Sequence, residues 1–454
     1  MSERVPFNRV DMLIYHFDQT PDLWSAHCEV RVEGRLDPSR LAAAALEAVR
    51  RHPMGRARME PFGPMTRTFH WVIDDEVAAV PLEIVDCTTD AQVDAARVRL
   101  TNRRIDLHVA PPLALALAHH PEGDYLIMNL SHVVGDGMSA YRLMLSICRA
   151  YTGSEDTQPV LPLAHVRNLR GHVGCRNLAD ARTRLRDLAR RVSDARNDAP
   201  VTLAVDGGSE GVHGHGFHLL RFDRDEAVRI AARRVKPATI NDLLLAALAV
   251  TIRRFNDQRG VVPGRISLLM PVNLRPAEWS NELVSNIVSM VPVGVLQCAQ
   301  SDLVAGQSAV AERTAELKEQ RLAGVMVDIL GMVGIWPAGV RDAALRWSRG
   351  LPVDSTHTGV LSNLGNVQPL DFGAGAGAAT ELRVSPPASM PEGTAVGATM
   401  MNGEIFLTLR YCRAQFDAEG AARFAADLRK VLLDEPSPGL PASADGGISH
   451  RMPG

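Results

Sequence analysis

The period of hydrophobicity switches abruptly at one place in the chain, and the switch limits what the sequence can fold into. Apolar runs at residues 113–118 and 125–130 flank the turn-rich Pro121-Glu122-Gly123-Asp124, a pattern that predicts a β-hairpin. Ser131-His132-Val133-Val134-Gly135-Asp136-Gly137 follows at once. Beyond it Met138, Tyr141, Leu145 and Cys148, with Met144, Ile147 and Tyr151 beside them, recur at helical spacing, so a helix packs back on that sheet. A histidine four residues ahead of an Asp-Gly thus stands where a strand hands over to a helix. It offers a base together with a group able to hold the local backbone.

The 454 residues exceed what one hydrophobic core sustains, roughly 250–300 residues, so two lobes with a cleft between them are expected. The division is an N-terminal lobe over 1–165, an Arg-rich linker over 166–216, a C-terminal lobe over 217–435 and a disordered tail over 436–454, rich in Pro, Ser and Gly. The 49 Lys+Arg against 52 Asp+Glu leave a net charge of −3, without the basic excess a nucleic-acid surface needs. The six cysteines are scattered with no Cys-x-x-Cys, as expected of reduced thiols in the cytoplasm. Met1-Ser2-Glu3-Arg4-Val5-Pro6 opens no secretory leader.

In the N-terminal half a strand is expected near 26–32. Asp37 as N-cap and Pro38 at the first helical position start a helix whose Leu41, Ala44, Ala45, Ala48 and Val49 share a face, until His52-Pro53. Thr88 or Thr89 caps another over 90–103. The C-terminal half repeats the rhythm. A strand at 217–222 leads to a helix ending near 234, and Thr239 caps an apolar helix through 241–255. Strands follow at 266–271 and 285–295, then a hairpin of 396–401 and 404–411 about Asn402-Gly403, and a helix at 418–433. Residues 167–196 interleave arginines with Asp180, Asp187 and Asp194 and read as a solvated helical linker, with a surface for phosphates or an acidic carrier domain as the alternative. Residues 322–340 are almost continuously apolar. Asp328 and Pro337 argue for a buried or lipid-substrate-facing helix over a membrane span, with peripheral membrane contact as the alternative. His213, His215 and His218 lie among glycines without paired Cys or acidic partners, so no metal site is expected.

Four stretches, in order, carry a family resemblance. They are Ser131–Gly137, similar to a His-His-x-x-x-Asp-Gly motif; Ala238-Thr239-Ile240-Asn241-Asp242-Leu243-Leu244-Leu245-Ala246-Ala247, similar to an opening C-lobe helix; Met270-Pro271-Val272-Asn273-Leu274-Arg275-Pro276 with Asn286-Ile287-Val288-Ser289-Met290-Val291-Pro292-Val293; and Leu361-Ser362-Asn363-Leu364-Gly365. With them the chain resembles the chloramphenicol-acetyltransferase-like superfamily of acyltransferases. That group includes nonribosomal peptide condensation domains, wax ester synthases, alcohol acetyltransferases, polyketide-associated acyltransferases and the plant BAHD enzymes. The resemblance implies an α/β fold of two lobes, each a mixed sheet flanked by helices, with the active site in a channel between them. Ser131 stands where condensation domains have their first histidine, which disfavours peptide-bond condensation and leaves acyl transfer open. Asp371-Phe372-Gly373-Ala374-Gly375 looks like the BAHD Asp-Phe-Gly-Trp-Gly but lacks its Trp and lies in a Gly/Ala run, so it is treated as coincidence.

The residues permit that chemistry. Moving an acyl group from a thioester to an alcohol or amine needs no metal and no covalent enzyme intermediate, only a base within reach of the acceptor proton, and a histidine suits this at neutral pH. His132 is that base. Asp136 holds the turn, and the resemblance implies Arg275 as its partner; Gly137 allows close backbone approach or an unusual φ. The resemblance places oxyanion donors among Ser289, Ser362 and Asn363. The donor is acyl-CoA or a phosphopantetheinyl acyl carrier protein, the acceptor a small-molecule or lipid alcohol or amine, with no permanently bound cofactor and a monomeric chain. The alternative is a non-catalytic condensation-like module that binds a carrier protein or acyl ligand. A dihydrolipoyl transacetylase carries a similar motif near its C-terminus, whereas here more than 300 residues follow it.

Overall fold

A computed structural model describes residues 2–156, 162–186, 198–276, 279, 283–319, 336–340, 343 and 357–433. The tail 436–454, and the apolar run 322–340 apart from 336–340, lie outside them. In the first half the elements are β1 (Glu3–Pro6), α1 (Arg9–Asp18), β2 (Ser25–Val32), α2 (Pro38–Arg51), β3 (Ala57–Met59), β4 (His70–Ile73), β5 (Leu82–Asp86), α3 (Asp90–Thr101), β6 (Leu113–His119), β7 (Tyr125–Ser131) and α4 (Gly137–Thr152). In the second half they are β8 (His215–Phe222), α5 (Arg224–Ala232), α6 (Ile240–Asp257), β9 (Ile266–Asn273), β10 (Val288–Val295), α7 (Leu303–Glu319), β11 (Gly359–Asn366), β12 (Ala379–Ser385), β13 (Thr394–Met401), β14 (Glu404–Cys412) and α8 (Ala418–Leu433).

Two mixed sheets organise the molecule. One runs β12-β2-β7-β6-β5, antiparallel except for the parallel β5–β6 edge; the other runs β10-β9-β11-β13-β14-β8, with parallel pairings on either side of β11. Each has its own core. Val30, Leu117, Leu126 and Met128 pack with Leu41 and Leu143 of α2 and α4, while Val293 and Leu407 pack with Leu243, Ile252 and Phe424 of α6 and α8. The result is a two-lobed α/β architecture, with helices flanking each mixed sheet.

Local chemistry explains most of the boundaries. Asp37 caps α2 by accepting from the Arg40 N–H at 2.7 Å, with Pro38 in the first turn, and Thr239 and Asp242 close a capping box on α6. Thr89 precedes α3 without a side-chain cap bond. The β13–β14 hairpin turns through Asn402 (φ 54°) and Gly403 (φ 81°), the left-handed pair that suits the strands' twist.

Two features escape local pattern. The small sheet β1-β4-β3 is made of strands too short to show a period. Strand β12 crosses back to pair antiparallel with β2, Val384 opposite Cys28, so the sheet that carries the motif is completed from the second half of the chain. The Arg-rich stretch is helical at Leu163–Val166, Leu169–Val173 and 178–186, but it is not uniformly solvated. Arg167 and Arg184 are buried, because each finds carbonyl and carboxylate acceptors; Arg167 donates to Ser285 Oγ at 2.9 Å and pairs with Asp11. Among the described residues no helix is long and apolar enough to cross a membrane.

Candidate active site

The motif closes β7 and opens α4 where the two sheets meet. Asp136 is the N-cap of α4, and its carboxylate accepts five hydrogen bonds. Two come from Ser139, N–H at 3.0 Å and Oγ at 2.9 Å; two from Arg275, Nη1 at 2.7 Å and Nη2 at 2.9 Å; the last from the Ile287 N–H at 3.0 Å. Both side chains are buried, and Arg275 also donates to the carbonyls of Leu283 and Ser285. Burial alone would raise the carboxyl's pKa, but the guanidinium and the two N–H groups outweigh it and hold the group below the usual carboxylate range. Asp136 is therefore an ionised rivet between the halves of the chain, saturated by protein donors.

His132 is fixed through its backbone. Its N–H donates to the Trp24 carbonyl at 3.0 Å, and its own carbonyl, with that of Val133, accepts from Asn286 Nδ2 at 2.7 and 2.8 Å. The Trp24 ring lies 6.3 Å from the imidazole, centroid to centroid. The residue is 7 % exposed, and Nδ1 is buried without a hydrogen-bond partner among the described residues. Burial lowers the ring's pKa below its ordinary 6.5; contact with its own carbonyl and the charge of Asp136 oppose this and lose. The imidazole is neutral at pH 7.

Gly137 is not where glycine is needed most. Its φ is not left-handed, and an added Cβ would make ordinary contact with Leu364 Cδ2 at 3.5 Å. At Gly135 a Cβ would fall 2.8 Å from the Ser139 Cβ, so the tight turn depends on that glycine instead. Ser289 is buried on β10 opposite Val272, and Ser362 and Asn363 lie on β11 opposite Gly397 and Ala398; Asn363 Oδ1 accepts from the Gly365 N–H at 2.8 Å. What ties the motif to the second half is Arg275, Ser285, Asn286 and Ile287. The sequence places Asn286 only within an expected strand over 285–295, but β10 starts at Val288 and Asn286 lies ahead of it; its signal is a lone amide at the head of an apolar run.

A cavity of about 600 Å³ starts beside the motif, between α4 and the segment after β11. Met138, Tyr141 and Leu145 form its helix wall, Leu364 and Val367 with the polar Asn366, Gln368 and Asn402 complete the lining, and Arg149, paired with Asp156 at 2.7 Å, lies at the far end, about 16 Å along the helix axis from Met138. Asp22, His215 and Cys412 bring three possible metal ligands within 4.8 Å of one another. They do not make a cation site. Arg410 Nη2 donates to His215 Nδ1 at 3.1 Å, and Nε2 of that ring donates to the Ala388 carbonyl at 2.8 Å, so a guanidinium already holds the lone pair.

A scan against models of known protein families gives no match. The uncharacterized protein Rv2305 of Mycobacterium tuberculosis is 37% identical over 414 residues, covering 90% of this chain and 94% of that one. Among solved structures, the first condensation domain of the CDA synthetase superposes with a TM-score of 0.71 at 14% identity, over 96% of this chain and 97% of that one. The starter condensation domain of rhizomide synthetase RzmA, solved in complex with C8-CoA, gives 0.67 at 15% identity over 96% of each. Identities this low speak for the fold, and the fold agrees with the two mixed sheets and the motif at their junction. The chain belongs to the family of Rv2305 and has the chloramphenicol-acetyltransferase-like fold of the condensation domains.

Proposed function

We propose that the protein is an acyltransferase that moves an acyl group from a thioester, acyl-CoA or an acyl carrier protein, to a hydroxyl or amine, with His132 as general base. The observation that carries this reading is a neutral imidazole, held by its backbone at the junction of two sheets, at the head of the turn that leads to a cavity of mixed polar and apolar lining. In the tautomer that carries the proton on Nδ1, the lone pair is left on Nε2. Nε2 takes the acceptor's proton as its oxygen or nitrogen attacks the thioester carbonyl. The C–S bond then breaks, and the same proton passes to the departing sulfur. No metal or permanent cofactor enters. Ser289, Ser362 and the Asn363 amide are the proposed donors to the transient oxyanion. Asp136 and Arg275 keep the base in place and do not touch substrate. Met138, Leu145, Leu364 and Val367 give part of the lining an apolar face that suits an acyl chain.

The test is thiol release from acetyl- through octanoyl-CoA, and from an acyl carrier protein, with a panel of alcohols and amines. Release that depends on acceptor is expected. Silence with every donor, alongside measurable binding of one, would replace this reading by a non-catalytic binding module.

A further inference from the structure

Arg410 lies in β14 with its side chain buried at the seam between the two sheets. Nη1 donates to the Ser25 carbonyl at 2.8 Å, and Nη2 stands 3.4 Å from the Leu23 carbonyl, 3.3 Å from Ser25 Oγ and 3.1 Å from His215 Nδ1. Nε is buried without a partner among the described residues. Among the described residues no carboxylate pairs with the group; Asp22 acts on it only through space, and burial draws its pKa down to about 10. A buried cation without an acid against it is expensive, and apolar contacts would join two sheets there at lower cost. Its position has another explanation. The two carbonyls it takes flank Trp24, whose own carbonyl accepts the His132 N–H and whose ring faces the imidazole.

We propose that Arg410 is a positioning residue for His132: from the opposite sheet it grips the Leu23–Ser25 segment on which the motif hangs, and it sets a fixed positive charge near the imidazole. The groups around this pair bear it out. Asp136 is the acid that favours the imidazolium, and Arg275 offsets much of its charge. Around Arg410, His215 is neutral, the Cys412 thiol is pushed up by burial, and Glu392 is pushed up by burial with Asp22 beside it. Asp22 is thus the acid that acts on the guanidinium, through space and without a direct bond. The inference rests on the acyl-transfer reading for its effect on rate, but its effect on the ring can be measured without turnover.

The experiment follows the His132 imidazole of the full chain by NMR titration with labelled histidine, together with kcat/KM against pH for the thioester that the wild type uses. Removing the charge with Arg410→Gln raises the midpoint of His132 by roughly 0.5–1 pH unit, and lowers the rate about three- to tenfold on the acid limb. Arg410→Lys keeps the charge and loses the grip on two carbonyls, so the midpoint stays while the plateau rate falls about three- to tenfold. A folded Arg410→Gln protein with the wild-type midpoint overturns the electrostatic part. Should that variant not fold, Arg410→Lys decides, since a plateau equal to wild type overturns the positioning role. A wild type that titrates but releases no thiol would count against the acyl-transfer reading and leave the midpoint comparison standing.

Discussion

At the scale of single residues, the site divides into groups that hold and one group that can react. Asp136 cannot serve as a proton shuttle to substrate, because five protein donors occupy its oxygens and Arg275 keeps it charged. Asp136→Ala would leave the Arg275 guanidinium buried and unpaired, and a loss of about 3–5 kcal/mol in stability is expected, read from the urea midpoint. Adding Arg275→Met should recover part of it. A single substitution within 1 kcal/mol of wild type, roughly the value of an exposed pair, would contradict the rivet. His132, Asp136 and Arg275 were legible in the sequence because their spacing and order resemble a known pattern. Asn286 and Arg410 were not. Their acceptors are backbone carbonyls, of Val133 and His132 for one and of Leu23 and Ser25 for the other, and nothing in a carbonyl's own residue announces the partner.

At the scale of elements, the handover from β7 to α4 does two jobs. It ends a strand just before a residue whose backbone two other segments hold, and it turns Met138, Tyr141 and Leu145 toward the cavity. Filling that cavity with Leu364→Trp is expected to lower turnover with an octanoyl donor by about tenfold, while an acetyl donor suffers less and the melting temperature is unchanged. Equal loss for both donors would mean that the cavity is not the chain's path. The helices and hairpins were readable because caps and periods are local: Asp37-Pro38, Thr239 and Asn402-Gly403 each mark a boundary that the structure keeps. The crossing of β12 was not, since its partner β2 lies some 350 residues away and neither strand's pattern specifies the other. Gly137 shows a related failure, for sequence alone could not tell which glycine of the turn faces Ser139.

For the molecule as a whole, buried neutral histidines set the response to acid. His27 and His215 have their pKa values lowered by burial, and His52 is brought down to about 3. Folded, they bind protons only at low pH; unfolded, they do so near 6.5. As pH falls below that value the unfolded state gains protons first, and stability drops by up to about 1.4 kcal/mol per group per pH unit. The ionised Asp136 and Glu29, held low by Arg275 and by Arg97, lose their contribution only under more acidic conditions. The urea midpoint should be level from pH 7 to 8 and fall between about 6.5 and 5; a level profile down to pH 5 would show that these rings are not neutral and buried. The same burial keeps His132 ready as a base at neutral pH, and on that ring the proposed chemistry depends. The most direct measurement is acceptor-dependent thiol release by His132→Ala, with its melting temperature taken on the same sample. The expected result is a wild-type melting curve and a rate lower by about 10²–10⁴-fold. A folded His132→Ala protein that still forms product at the wild-type rate would contradict it.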